Sequence, residues 1–171
     1  MRSTVVDHSL WRRDPYAYDQ AVSLARERLR HLSEFYPEFD NWFSHKVEPG
    51  LATGKRTLLM RHVGTQLAGI AVLKHDLEER KLCCLRVLPD FSGSGLGLRL
   101  FEDSFEMLQT DYPLLSVCEE QLPHFQRVFD HFGFRTGSRY DGFYRRGVAE
   151  HSFNGLLYPS RMDKPLFSAA A

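Results

Sequence analysis

The sequence predicts an α/β (α+β) protein in which helices flank one mostly antiparallel sheet. Three observations carry that expectation. Residues 1–54 place apolar side chains at helical spacing, residues 56–88 form short β-rich runs, and from Pro89 onward two amphipathic helices interleave with short apolar strands. We read residues 1–157 as a single domain, with a helical N-terminal part at 1–54, a core at 56–154 and a flexible tail at 158–171.

The elements follow in order. Tyr18, Ala21, Val22, Ala25, Leu29 and Leu32 make one face of a helix that Pro37 ends. A shorter helix starts near Glu38, with Phe39, Trp42, Phe43 and Val47 on one face and Gly50 to Gly54 closing it. Thr57 to His62 and Gln66 to His75 read as an antiparallel hairpin turning through Val63-Gly64-Thr65. A charged turn, Asp76 to Arg80, leads into a third strand, Lys81 to Leu88. After the glycine-rich Ser92 to Gly97, the residues Leu100, Phe101, Phe105 and Leu108 mark a helix that stops near Asp111 and Pro113. Leu114 to Val117 is a short strand, and Pro123 opens a helix with a Phe125, Val128, Phe129, Phe132 stripe ending at Gly133. Phe134 to Arg139, Phe143 to Val148 and Glu150 to Phe153 are the remaining candidate strands.

The chain has 171 residues, enough to bury roughly 70% of the surface its unfolded form exposes. Lys plus Arg and Asp plus Glu number 22 each, so the formal charge is zero, which argues against a strongly basic nucleic-acid binder. Three cysteines cannot pair completely, and Cys83 and Cys84 are adjacent, so a regular strand would point them to opposite faces. This usage suits a reducing, cytoplasmic setting. No run approaches the ~18 apolar residues of a membrane span, and no signal-peptide core is present at the start. The eight histidines are scattered without ligand spacing, so no metal site is expected.

The informative segment is Val87-Leu88-Pro89-Asp90-Phe91-Ser92-Gly93-Ser94-Gly95-Leu96-Gly97-Leu98, which joins a strand to an amphipathic helix. Amides in such a turn lack internal partners, the helix dipole adds positive potential, and the three glycines let a diphosphate approach the backbone. A Walker loop is excluded because Leu98 and Arg99 follow Gly97. A Rossmann fingerprint is excluded because the loop follows an antiparallel hairpin instead of opening a parallel βαβ unit.

This segment resembles motif A of the GNAT superfamily of acyl-CoA-dependent N-acyltransferases. Val87-Leu88-Pro89 matches its Val-x-Pro, and Ser92-Gly93-Ser94-Gly95-Leu96-Gly97 matches the glycine loop that follows. Leu115-Ser116-Val117, a helix, and Phe132-Gly133-Phe134 look like motif B. The likeness covers about residues 56–154, and the two N-terminal helices suit the family's usual start. Three positions depart from the family pattern. Ser92 stands in place of Arg or Gln, Leu122 in place of a frequent Asn, and Phe129 in place of the Tyr that often serves as general acid.

The resemblance implies a central sheet splayed between the fourth and fifth strands, with acetyl-CoA as co-substrate and an amine acceptor attacking directly in a ternary complex. Leu85, Arg86 and Val87 would bond the pantetheine amides, and Ser92, Gly93, Ser94, Gly95, Leu96 and Gly97 would hold the diphosphate. A homodimer through the distal strands is compatible with the family. For the proton of the incoming ammonium, Glu119 and Glu120 are the candidate bases, and Tyr140 or Tyr144 could replace the missing acid. Cys84 and Cys118 have no histidine patterned as a base and read as small core residues. Trp42, Phe43 and Lys46 could border the acceptor cleft. Two other readings stand beside the enzyme: a catalytically impaired acyl-CoA sensor or interaction module, and an acetyltransferase acting on aminoacyl-tRNA, which the neutral charge disfavours.

Overall fold

A computed structural model describes residues 2–158, so the expected tail lies outside the described residues from 159 onward. The chain opens with β1 (Arg2–Val6), an edge strand where the sequence reading expected helix. Thr4, Val5 and Val6 are β-branched and favour extended backbone, and pairing with residues 58–62 satisfies that backbone. Two capped helices follow. Asp7 accepts from the Leu10 N–H to start α1 (His8–Arg13), and Asp14 accepts from the Ala17 N–H to start α2 (Pro15–Leu29), each at 3.0 Å. The α2 stripe Tyr18, Val22, Ala25, Leu29 is buried as the spacing predicts. A 3-10 turn at Arg30–Glu34 leads to α3 (Phe39–Trp42), a π-helical turn at Phe43–Val47 and α4 (Glu48–Ala52). Phe39, Phe43, Val47 and Leu51 are buried along that run.

The expected hairpin is β2 (Arg56–Val63) and β3 (Gln66–His75), turning at Gly64 with φ of 59°. With β4 (Arg80–Val87) it completes a four-stranded antiparallel sheet in the order β1-β2-β3-β4. This sheet is covered on both faces. Leu58, Met60, Ile70 and Val72 pack against the N-terminal helices, whereas Leu59, Ala71 and Leu73 pack against α5 (Leu96–Leu108). That is why these strands read as continuous apolar runs.

After α5 come β5 (Leu115–Cys118), α6 (Leu122–Phe132), β6 (Thr136–Asp141) and β7 (Ala149–Phe153). Here the expectation of one sheet is corrected, because backbone pairing divides it into two. The second is antiparallel in the order β5-β7-β6, and a single parallel bridge, Lys81 to Leu114, links it to β4. The splay between the fourth and fifth strands is as expected. The proposed strand at Phe143 to Val148 is instead the loop between β6 and β7. Gly142 and Gly147 take φ of 64° and 78°, and the Gly142 N–H donates to the Val148 carbonyl at 3.1 Å. Glu150 to Phe153 falls within β7. Among the described residues, no helix is long and apolar enough to cross a membrane.

One glycine is fixed by close approach. A Cβ on Gly137 would stand 2.3 Å from both the Gly155 carbonyl oxygen and Ser152 Oγ, where β6 shifts register against β7. Gly137→Ala is expected to cost about 1–3 kcal/mol of stability. A thermal unfolding scan reads this as a lowered Tm.

Candidate active site

The site is built on the outer edge of β4. Its register against β3 shifts between Val72 and Leu73: Val72 faces Cys84 and Leu73 faces Leu82, leaving Cys83 as the extra residue of a bulge. Leu82 and Leu85 belong to the core under α5, while Cys83 and Cys84 both turn to the core under the N-terminal helices. The opposite facing expected of adjacent cysteines is thus corrected by one inserted residue. Arg56, buried beneath the Trp42 ring, donates from Nη1 to Cys83 Sγ at 3.0 Å.

Beyond the bulge, pairing alternates regularly. The Leu88 N–H donates to the Ala68 carbonyl at 2.8 Å, so Arg86 opposite Ile70 also turns its backbone groups toward β3. Leu85 and Val87 then direct theirs into the gap between the sheets. Arg86 instead contributes its side chain, whose Nη1 donates to the Arg28 carbonyl.

The gap leads to the glycine loop. Pro89–Phe91 form a 3-10 turn, Gly93 and Gly95 take φ of 73° and 77°, and a Cβ at either position would meet nothing within 4 Å. Gly95 caps α5 without a side chain, and Ser94 Oγ donates away, to the Phe91 carbonyl at 2.6 Å. The first N–H groups of α5 are therefore left without a side-chain acceptor. Leu96 sends its side chain into the core and offers only backbone here. Gly97 sits beside Val87, its Cβ position 3.6 Å from Val87 Cγ2.

Two chambers occupy the splay. The larger, of about 520 Å³, runs between Leu82–Val87 and Leu115–Val117, reaches the loop at Pro89 and Ser92, and is walled by Phe125 and Phe129. The smaller, of about 70 Å³, is lined by Phe39, Trp42, Lys81, Tyr144 and Glu150, and shares Leu32, Tyr36, Cys83, Cys84 and Ser116 with the larger. Phe129 lies in an aromatic stack, its centroid 4.4 Å from Phe153 and 5.7 Å from Phe125.

Residues 19–152 match the family model of the acetyltransferase (GNAT) domain. The chain belongs to the GNAT acetyltransferase family. Among solved structures, a GNAT-family protein from Desulfovibrio desulfuricans is 19% identical, covering 78% of this chain and 90% of its own, with a TM-score of 0.59. A spermidine N-acetyltransferase chimera from Vibrio cholerae is 14% identical, covering 90% and 95%, with a TM-score of 0.60. A Bacillus subtilis acetyltransferase is 17% identical, covering 67% and 86%, with a TM-score of 0.53. At these identities the likeness concerns the fold. A search of curated proteins finds no significant match.

In this GNAT chain the expected carboxylates do not border either chamber. Glu119 accepts from the Ala149 N–H at 3.2 Å and pairs with Arg139 at 3.6 Å, and Glu120 pairs with Arg145. Both are exposed. The carboxylate inside is Glu150, on β7 and 2% exposed. Tyr36 donates from its hydroxyl to Glu150 Oε1 at 3.4 Å. Burial pushes the Glu150 carboxyl up to about 7, against the opposing pull of a Ser116 hydrogen bond and the Lys81 charge. Sequence reading missed this residue, although a Glu inside the short strand Ala149–Phe153 is a signal, since strands disfavour Glu unless it is used.

Tyr144, the expected acid, does line the smaller chamber, edge-on to Tyr36 with centroids 5.4 Å apart. Burial raises its hydroxyl above the ordinary range despite Lys81, so it stays protonated at neutral pH. Tyr140 is engaged elsewhere, accepting from the Leu157 N–H at 2.8 Å. Trp42 borders the chamber as expected, whereas Phe43 is in the core and Lys46 is exposed away from both chambers. Burial raises the Cys84 and Cys118 thiols, which leaves both poor nucleophiles. Among the described residues, no group of three His, Cys, Asp or Glu is placed to hold a metal ion.

The Glu150 shift has a consequence for stability. With its carboxyl at about 7, against an ordinary 4.5, the folded chain holds a proton between those pH values that the unfolded chain has released. This contribution is fullest below the unfolded value and falls as pH rises to about 7. Urea denaturation of wild type and Glu150→Gln at about pH 5 and pH 8 is expected to show a pH-dependent difference between the two proteins. The wild type loses ground at the higher pH.

Proposed function

We propose that this GNAT chain transfers the acetyl group of acetyl-CoA to a primary amine by direct attack in a ternary complex. The observation that carries this is the shared wall of the two chambers: a thioester along β4 and an amine in the smaller chamber meet at Tyr36, Cys83, Cys84 and Ser116, beside Glu150. The Bacillus subtilis neighbour is a complex with CoA, and a GNAT acetyltransferase from Elizabethkingia anophelis, with TM-score 0.51, has acetyl-CoA bound. Both support the donor assignment.

In this reading Leu85 and Val87 bond the pantetheine amides through their outward backbone groups, and one of these N–H groups polarises the thioester carbonyl. Ser92, Gly93, Ser94, Gly95, Leu96 and Gly97 hold the diphosphate through backbone amides and the α5 dipole, which needs no basic side chain at Ser92. Arg86 braces β4 against α2 instead of bonding pantetheine through its backbone.

An alkylammonium of pKa near ~10.4 must lose a proton before it attacks. Glu150, ionised in part at neutral pH and buried beside the junction, takes it in place of Glu119 or Glu120. A thiol of reference pKa ~8.5 leaves readily as thiolate, so Phe129 in the acid's position is tolerated. Tyr144, held protonated and lining the smaller chamber, is the candidate acid.

We take residues 1–157 as one such domain, working in the cytoplasm and pairing through the distal strands β6 and β7. The free cysteines Cys83, Cys84 and Cys118 agree with a reducing compartment. A buried carboxylate and a protonated tyrosine at the junction favour catalysis over a sensor that has lost its chemistry.

Gly95→Glu places bulk and negative charge at the diphosphate and is expected to abolish acetyl-CoA binding in isothermal titration. No binding by the wild type at millimolar ligand would sink the donor assignment. Glu150→Gln is expected to lower kcat by about 10²–10⁴-fold while leaving acetyl-CoA affinity unchanged. The wild-type rate should rise with pH through about 7, the value for Glu150, and the variant should lose that limb.

A further inference from the structure

The smaller chamber brings together two buried side chains of opposite charge. Glu150 on β7 is 2% exposed and Lys81 on β4 is 8% exposed, and both line it. Lys81 is fixed at the bridge to Leu114, where the sheets part. Its charge acts on both Glu150 and Tyr144, and all three residues line the same chamber. Apart from Ser116, the rest of the lining is apolar or aromatic, with Phe39 and Trp42 on the helical side, their centroids 5.8 Å apart.

Charge accounting separates acceptor classes. Glu150 and Lys81 together are neutral when ionised. A polyamine would add two or more positive charges to a chamber whose lining holds one carboxylate and one ammonium, and like charges repel strongly away from water. A peptide N-terminus brings an amine but no carboxylate for Lys81. A free amino acid brings both charges, each opposite a partner of the other sign.

Resting on the acetyl transfer described above, we propose that the acceptor is a compact α-amino acid with an apolar side chain. Its amine faces Glu150, its carboxylate faces Lys81, and its side chain lies against Phe39 and Trp42. Lys81 is then the specificity-determining residue. The ammonium gives one proton to Glu150, the amine nitrogen forms the new bond to the acetyl carbon, the carbon–sulfur bond breaks, and the second proton lost from nitrogen passes to the departing CoA thiolate.

The test measures thiol release with acetyl-CoA and leucine, phenylalanine, leucinamide or spermidine, alongside calorimetric binding of acetyl-CoA. Wild type is expected to use leucine or phenylalanine with kcat/KM at least about tenfold above leucinamide, and spermidine less well still. Lys81→Met is expected to raise KM for the amino acids at least about tenfold, erase the preference over leucinamide with acetyl-CoA affinity intact, and move the rising limb of the rate to higher pH, because the Lys81 charge no longer holds Glu150 down. Wild type using leucinamide or spermidine as well as the amino acids overturns the proposal without touching the donor assignment, and this comparison needs no variant. So does a preference that survives in Lys81→Met, or amino acids left unused by a protein that binds acetyl-CoA. Failure to bind acetyl-CoA overturns both readings.

Discussion

Two backbone hydrogen bonds govern the site: the Leu82 N–H donates to the Leu114 carbonyl at 3.0 Å, and the Leu114 N–H donates to the Arg80 carbonyl at 2.9 Å. They are the strand-to-strand link between the two sheets among the described residues. On one side of this link β4 keeps β3 as its partner, and on the other β5 keeps β7. Strands twist, so two that share one bridge and no further ladder diverge beyond it. The divergence strips β4 of an outer neighbour along Leu85 to Val87, and unpaired backbone groups in a gap are what a ligand rich in amides can satisfy.

The bulge at Cys83 acts in concert with the splay. One extra residue changes which side chains face which core, and it restores the alternation beyond it with Leu85 and Val87 turned outward. Without it, the chamber wall at Cys83 and Cys84 would be divided between the two faces of the sheet. The same shift brings Cys83 to the junction of the chambers, over the buried guanidinium of Arg56. Local irregularity and site geometry therefore share one cause.

Much of this was legible in the sequence where the signal is local. The α2 stripe, the Gly64 hairpin and the amphipathic α5 follow from periodicity and turn chemistry within a few residues of each feature. The glycine loop was also readable, since Gly93 and Gly95 mark left-handed backbone directly. What escaped depends on partners distant in the chain. β1 is five residues long and becomes a strand by pairing with β2 some 55 positions later. The bulge exists only relative to β3. Glu150 was passed over for Glu119 and Glu120, which follow β5 in sequence, because nearness along the chain does not say which way a side chain points. Its burial rests in part on Tyr36, 114 residues away.

Phe129 gives the cleft a further property. With Phe125 it walls the larger chamber, and behind it stand Phe153, Phe134 and Phe101, a contiguous set of rings without a hydroxyl. This wall can neither give nor accept a proton. Tyr36, Tyr144 and Glu150 line the smaller chamber instead. The two flanks of the cleft therefore differ in kind: the Phe125 and Phe129 rings present a surface without an ionisable group, and the lining of the smaller chamber carries a carboxyl, an ammonium and two phenols.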